Sequence, residues 1–226
     1  MLKEKIGILW DLDGTIIDSA GLYYEAYRGV FDKYALGPFT MTLDEYRGKY
    51  FGAHCSVCIQ DHSPEKITPE RMADMTMDYL RFAEDHLMKT PDGGIRLIPG
   101  VDRVLREFTD RGYPMAIAST SWLPTIVHCL EKVGLLNYFA DIASGVLLPS
   151  KPAPDIFRLA AALINVPAER CVVFEDSRAG MKGAKNAGMK CAGISTSLEI
   201  SQMTDADLKI PSYTNLNIEE VEALFI

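Results

Sequence analysis

Short apolar segments of strand length alternate along the chain with longer segments in which apolar residues recur every three or four positions. The first kind of segment predicts buried β-strands, and the second predicts amphipathic helices. The predicted strands are Ile6–Trp10, Pro114–Ala118, Phe139–Ala143, Cys171–Phe174 and Lys190–Ile194, with weaker strand and helix signals at Leu208–Ile210 and Ile218–Phe225. Because strands alternating with helices form βαβ units, the pattern predicts an α/β fold, with a parallel Rossmann-like sheet flanked by helices.

Helix starts are marked by capping residues at several points of the same pattern. Thr42–Glu45 matches a capping box, and Thr68 precedes a proline that opens a long helix. Asp18 or Ser19 is expected to cap the first helix, and Asp155 is expected to cap a later one.

The stretch between the first two predicted strands contains helices and no convincing strand. We therefore expect an all-helical cap domain at residues 19–96. It would be inserted into a Rossmann-like catalytic core formed by residues 1–18 and 97–226. An insertion at the carboxyl edge of a parallel sheet is expected to act as a mobile cover over a site there.

Charge and composition narrow the class of protein. The net charge is −8 and no Lys/Arg run concentrates positive charge, which argues against binding to nucleic acid or to an anionic membrane. No segment is long enough to span a bilayer.

The five cysteines are an odd number and suit reduced thiols, so we expect a cytoplasmic protein. Cys55 and Cys58 have the spacing of a zinc or redox motif, but without a second pair they are interpreted as packing residues.

Polar residues stand where several predicted strands end. They are Asp11 and Asp13 before Gly14, then Ser119, Lys151, and Glu175 with Asp176. Taken alone, an acidic pair before a glycine is equally typical of a solvated turn. Because parallel strands share a direction, however, all of these residues should meet at one edge of the sheet. Carboxylates, one lysine and one hydroxyl suit phosphoryl transfer with Mg²⁺, which prefers oxygen ligands and offsets the charge repulsion between a carboxylate and a phosphate.

These motifs resemble those of the haloacid dehalogenase superfamily, in the branch with a helical cap inserted after the first motif. Within it, the chain is most similar to the β-phosphoglucomutase-like and sugar-phosphate phosphatase group. The four motifs occur in order and span the chain: Asp11-Leu12-Asp13-Gly14-Thr15, Ser119, Lys151 within Ser150-Lys151-Pro152, and Glu175-Asp176.

The resemblance implies a role for each residue. Asp11 would attack phosphorus and form an aspartyl-phosphate, and Asp13 would protonate the leaving alcohol and then activate water. Ser119, Thr120 and Lys151 would bind the phosphate. Mg²⁺ would be held by Asp11, by the Asp13 carbonyl and by Asp176, with Glu175 either a direct ligand or a supporting residue.

The expected function is a Mg²⁺-dependent phosphatase acting on a small phosphorylated metabolite, as a monomer or weak homodimer. An acid at Asp13 argues against dehalogenation and phosphonate cleavage, which have no alkoxide leaving group to protonate.

A phosphosugar mutase of the β-phosphoglucomutase type is the alternative. Tyr23 and His54 stand where that mutase pattern would place His and Arg, although both remain candidate substrate-binding residues of the cap. A non-catalytic phosphometabolite-binding protein is a third possibility, disfavoured because Asp11, Asp13, Lys151 and Asp176 are all present.

Overall fold

The computed structural model describes residues 6–51 and 54–226, and the chain divides into two compact units. One unit contains the chain up to Ile17 and again from Leu97 to Ile226, and the other contains Asp18–Arg96. The strands are β1 Gly7–Trp10, β2 Ile17–Asp18, β3 Arg96–Leu97, β4 Met115–Ser119, β5 Asp141–Ser144, β6 Cys171–Glu175, β7 Lys190–Ile194 and β8 Leu208–Ile210. The α-helices are α1 Ala20–Tyr34, α2 Leu43–Lys49, α3 Cys55–His62, α4 Pro69–Lys89, α5 Val101–Asp110, α6 Leu123–Lys132, α7 Asp155–Leu163, α8 Arg178–Asn186 and α9 Ile218–Glu222.

The larger unit is built on a six-stranded sheet in the order β5-β4-β1-β6-β7-β8. Every neighbouring pair in it is parallel, and Leu9 at the centre of β1 pairs with Ala116 on one side and Val173 on the other. The strand order therefore reverses at β1, which is the position where ligands bind in open α/β sheets. The predicted fold class, a parallel Rossmann-like sheet flanked by helices with a helical insertion, is confirmed.

Apolar side chains on both faces of the central strands bury the sheet, as expected of parallel strands. Leu9, Val173, Phe157 and Met181 belong to one cluster, in which helices pack against the sheet. Trp10 stacks on Phe174, with ring centroids 4.1 Å apart. Burying each such side chain contributes roughly 1.5–3 kcal/mol, so the two strands whose ends carry Asp11 and Glu175 are firmly fixed.

One of the capping predictions is wrong, and at α1 the two candidate residues share the role. Pro154 occupies the N-cap of α7 and makes no side-chain capping hydrogen bond, and Asp155 is the first helical residue. Its charge nevertheless lies in the first turn, where the helix dipole favours an acid. At α1, Ser19 is the N-cap but its hydroxyl makes no capping bond, whereas the Asp18 carboxylate accepts the Ala20 N–H at 3.3 Å.

The smaller unit contains helices α1 to α4. The capping box at Thr42 and Glu45 is confirmed, and the Thr68 hydroxyl accepts the Arg71 N–H as expected. Tyr27 of α1 and Tyr79 of α4 lie with ring centroids 4.7 Å apart in its interior. The two-residue strands β2 and β3 form a separate small sheet that the sequence did not predict, because two residues carry no periodicity.

None of the helices in residues 6–51 and 54–226 combines the length and apolar character that crossing a membrane requires. None of the five cysteines forms a disulfide, and all five are buried. Cys58 is fully buried, its sulfur lies 3.9 Å from His62 Nδ1, and the Cys55 thiol lies 3.5 Å from the Thr76 hydroxyl.

Candidate active site

The carboxyl ends of the three central strands bring three of the predicted segments to one edge of the sheet. Asp11 follows β1 directly, and its N–H donates to the carbonyl of Phe174 on β6 at 3.0 Å. Ser119 is the last residue of β4 and Glu175 the last of β6, with Asp176 immediately after it. Asp11, Ser119, Glu175 and Asp176 are all buried polar residues. The parallel register thus places these side chains together, as the pattern of strand ends predicted.

Lys151 is the cation of this cluster. Its ammonium donates one hydrogen bond to Asp11 Oδ1 and another, of 2.7 Å, to Glu175 Oε1. The side chains are nearly inaccessible, with 9% of Lys151, 9% of Asp11 and 1% of Glu175 exposed. Burial by itself would lower the pKa of Lys151, but Asp11 and Glu175 raise that pKa above its ordinary value. Lys151 is therefore protonated at neutral pH.

Glu175 is occupied by hydrogen bonds on both oxygens. While Oε1 accepts from Lys151, Oε2 accepts the Asp176 N–H at 2.9 Å and the N–H and hydroxyl of Ser177 at 2.8 and 2.9 Å. Gly180 in the first turn of α8 leaves room for this carboxylate, since a Cβ there would lie 1.7 Å from Oε1. Ser177, at the start of α8, thus holds the Glu175 carboxylate in contact with Lys151.

The Asp176 carboxylate packs against the turn that follows β1. Gly14 has φ +85°, a conformation that favours glycine, and a Cβ on it would lie 2.1 Å from Asp176 Oδ2. The Thr15 hydroxyl donates to Asp176 Oδ1 at 3.3 Å, and the Ser197 hydroxyl donates to Oδ2. The first and fourth sequence motifs are therefore in direct contact, although 161 positions separate Thr15 from Asp176.

Negative charge exceeds positive charge in the buried cluster. Burial raises the pKa of Asp11 well above its usual value, with Lys151 lowering it only in part. Burial, followed by the charge of Glu175, raises the pKa of Asp176 to about 7. Both raised pKa values reflect the burial of more carboxylates than cations, because one lysine cannot neutralise three buried carboxylates.

Asp13 and the residues after β4 form the other side of the site. The Ser121 hydroxyl donates to Asp13 Oδ2 at 2.8 Å, while the Ser121 N–H donates to Ser119 Oγ at 3.1 Å. Thr120 is exposed between them. Ser121 contacts the predicted acid–base residue, although it is not among the site residues that the sequence motifs predict. Its position two residues after Ser119 is the only signal that could have found it.

The carboxylate oxygens of this cluster are suitable ligands for Mg²⁺. In the described part of the chain, no group of three or more His, Cys, Asp or Glu side chains is arranged to hold a metal ion by itself. Mg²⁺ does not require one, because it is usually bound by one or two carboxylates, with substrate phosphate and water completing six ligands. Asp11 and Asp176 supply two carboxylates, and the unbalanced charge of the cluster favours a divalent cation.

Two candidate residues lie in the smaller unit. Tyr23 is buried and stacks on Tyr79, with ring centroids 5.9 Å apart. His54 is the N-cap of α3, where its Nδ1 accepts the Ser56 N–H at 3.3 Å. Both side chains thus have a role in packing or capping within that unit, and a contact with substrate stays a prediction for each.

Comparison with known proteins gives a family match over most of the chain. A family model described as haloacid dehalogenase-like hydrolase matches residues 8–194. Protein CbbY of Cereibacter sphaeroides is 31% identical over 191 residues, which cover 81% of this chain and 81% of that protein. Protein SUPPRESSOR OF QUENCHING 1, chloroplastic, of Arabidopsis thaliana is 30% identical over 88% of this chain, which spans only 19% of that longer protein. A crystal structure of a CbbY mutant from Rhodobacter sphaeroides in complex with xylulose-(1,5)bisphosphate superposes with a TM-score of 0.80 at 26% identity, covering 94% of this chain and 96% of the other.

The names of two further relatives differ in the reaction that they describe. Fructose-1-phosphate phosphatase YqaB of Escherichia coli is 28% identical, over 86% of this chain and 98% of that protein. Beta-phosphoglucomutase of Bacillus subtilis is also 28% identical, over 94% of this chain and 92% of that protein.

Proposed function

The chain belongs to the haloacid dehalogenase-like hydrolase family, and from that premise we propose that it is a Mg²⁺-dependent phosphatase of small phosphorylated metabolites. The substrate class follows the relatives, among which a fructose-1-phosphate phosphatase is named. The observation that carries the proposal is the buried cluster in which Asp11 is paired with Lys151 while Asp176 lies beside the Gly14 turn.

Asp11 is the proposed nucleophile. Its backbone N–H is fixed on β6 and one carboxylate oxygen is held by Lys151, so the side chain is oriented before substrate arrives. A carboxylate attacking a phosphoryl group forms an aspartyl-phosphate and releases the alcohol, which divides a slow hydrolysis into two faster steps. Lys151 stays protonated and offsets charge on the transferred oxygens.

Asp13 is the proposed general acid and base. It is only partly buried and accepts a hydrogen bond from Ser121, so its carboxyl group keeps access to solvent and to a leaving group. In the first step it would protonate the departing alkoxide, and in the second it would take a proton from the water that attacks the aspartyl-phosphate. Ser119 and Thr120, at the end of β4, are the proposed phosphate-binding residues.

Asp11, Asp176 and the carbonyl of Asp13 are the proposed ligands of Mg²⁺. When bound, the ion would neutralise the repulsion between the Asp11 carboxylate and the phosphate. We propose that Glu175 supports this site without ligating the ion, since its two oxygens already accept four hydrogen bonds. Its function would be to hold Lys151 against Asp11.

Residues 19–96 are proposed as the cap that selects the substrate, with Tyr23 and His54 as candidate contacts. A phosphosugar mutase is the second candidate, because a β-phosphoglucomutase is among the relatives. Tyr23 and His54 replace the His and Arg expected of that mutase, and they favour the phosphatase. A protein that only binds phosphometabolites is disfavoured, because the chain contains all four proposed catalytic residues: Asp11, Asp13, Lys151 and Asp176.

The test is a screen of the purified chain against sugar phosphates, nucleoside monophosphates and glycerol phosphate, with Mg²⁺ or with EDTA. Phosphate release is expected for at least one compound in Mg²⁺ and none in EDTA. Phosphorus NMR of the products separates the candidates, since a mutase yields an isomerised sugar phosphate and little free phosphate.

Asp11→Asn provides the matched control, as it keeps the shape of the side chain. It is expected to abolish turnover while calorimetry still detects ligand binding. Appreciable phosphate release by this variant would remove Asp11 as the nucleophile, and activity that persists in EDTA would reject the metal.

A further inference from the structure

A loop outside the four sequence motifs contacts two of them. It follows β7 and comprises residues 195–198; we refer to it as the β7 loop. The Thr196 hydroxyl donates to the Gly14 carbonyl at 2.5 Å, and the Ser197 hydroxyl donates to Asp176 Oδ2. The loop is closed on itself by Ser195, whose hydroxyl donates to the Leu198 carbonyl at 2.6 Å. One short loop thus joins the turn after β1 to the acid after β6.

The Ser197 contact completes the surroundings of Asp176. Thr15 donates to one carboxylate oxygen and Ser197 to the other, so both oxygens are fixed by hydroxyl groups. Asp176 itself is 3% exposed, and its other neighbours leave little room, since a Cβ on Gly14 would overlap it. A carboxylate held on both oxygens has one orientation of its plane, whereas a carboxylate held on one oxygen retains rotation about its terminal torsion.

We propose that Ser197 is a positioning residue for Asp176, through which the β7 loop sets the affinity of the site for a divalent cation. The inference rests on the proposed function, because it takes Asp176 as a metal ligand. Residues that hydrogen-bond to a ligating side chain orient it for the ion, and their loss typically weakens metal binding by about 10–100-fold. Thr196 secures the loop at the Gly14 carbonyl and so keeps Ser197 in reach of the carboxylate.

Calorimetric titration of Mg²⁺ into the EDTA-stripped, dialysed protein without substrate tests this directly. Ser197→Ala is expected to raise the Kd about tenfold, and Ser197→Thr, which keeps the hydroxyl, is expected to stay within about threefold of wild type. Ser212→Ala is the control, because it removes a hydroxyl from a different loop, where that hydroxyl contacts Thr214. Its Kd should equal that of wild type.

Kinetics provide a second readout that a general loss of structure would not reproduce. For Ser197→Ala, the Mg²⁺ concentration giving half-maximal rate should rise by the same factor as the Kd, while kcat at saturating Mg²⁺ stays near wild type. Because Ser197 is exposed and only one hydrogen bond is lost, the urea midpoint should fall only slightly.

The outcomes are distinct. The role of Ser197 would be overturned by a wild-type Kd for Ser197→Ala, by a Kd for Ser197→Thr as weak as that for alanine, or by an equal loss in Ser212→Ala. The proposed phosphatase would still stand. A wild-type protein that does not bind Mg²⁺ would overturn both proposals.

Discussion

Substituting Gly14 by alanine should separate the catalytic arrangement from the backbone that carries it. Gly14 has φ +85°, and an L-residue in this region costs roughly 1–2 kcal/mol. The added methyl would also lie 2.1 Å from Asp176 Oδ2, whereas ordinary contact begins at 3.4 Å. The two atoms must therefore separate by about 1.3 Å, which moves either the turn or the carboxylate.

Gly188→Ala is the matched control. Gly188 follows α8 with φ +79°, and an added methyl there meets nothing within 4 Å. This variant measures the conformational cost alone, so we expect its free energy of unfolding to fall by roughly 1–2 kcal/mol while its activity is unchanged. Gly14→Ala should lose at least as much stability in urea denaturation.

Activity is the deciding measurement for this pair. A displacement of about 1 Å in a catalytic group can cost about 100-fold in rate, so kcat/KM of Gly14→Ala, measured with an aryl phosphate and saturating Mg²⁺, should fall at least that far. Should Gly14→Ala stay within about threefold of Gly188→Ala, the contact between the Gly14 turn and Asp176 would have no catalytic importance.

Three further outcomes follow from the same cluster. Asp13→Asn should lose activity chiefly against alkyl phosphates, whose leaving group needs a proton, and an equal loss against an activated aryl phosphate would contradict leaving-group protonation. Lys151→Met should abolish turnover and lower the free energy of unfolding by about 3–5 kcal/mol, because it leaves buried carboxylates unpaired. Lys185→Met removes a more exposed ion pair with Asp207 and should lower the free energy of unfolding by at most about 1 kcal/mol. Similar losses of stability in the two variants would refute the greater importance of the buried pair. The raised pKa of Asp176, about 7 against an ordinary 3.8, means that the folded protein keeps a proton that the unfolded chain releases. Stability of the metal-free protein should therefore fall as pH rises from 5 towards 7.5, and less so with Mg²⁺; urea denaturation showing a rise across that interval in EDTA would contradict this.

Local signals in the sequence predicted most of the elements. The capping box at Thr42 and the Thr68 cap need only residues three positions away, and both are confirmed. The prediction for Asp155 was wrong because Pro154 takes the capping position, a choice between neighbours that the residue types do not decide. At α1, the carboxylate that reaches the backbone belongs to Asp18 although Ser19 is the N-cap.

By itself, the sequence determined which side chains end the strands and that those strands run in parallel, because apolar periodicity is written along the chain. From this alone Asp11, Ser119, Glu175 and Asp176 could be placed at one edge of the sheet. Only the tertiary structure decided how each carboxylate is satisfied: Glu175 by Lys151 and Ser177, and Asp176 by Thr15 and Ser197. Hydroxyl groups in loops have no period, and their partners depend on strand register across the sheet, so contacts such as that between Thr196 and Gly14, 182 positions apart, exist only once the chain has folded.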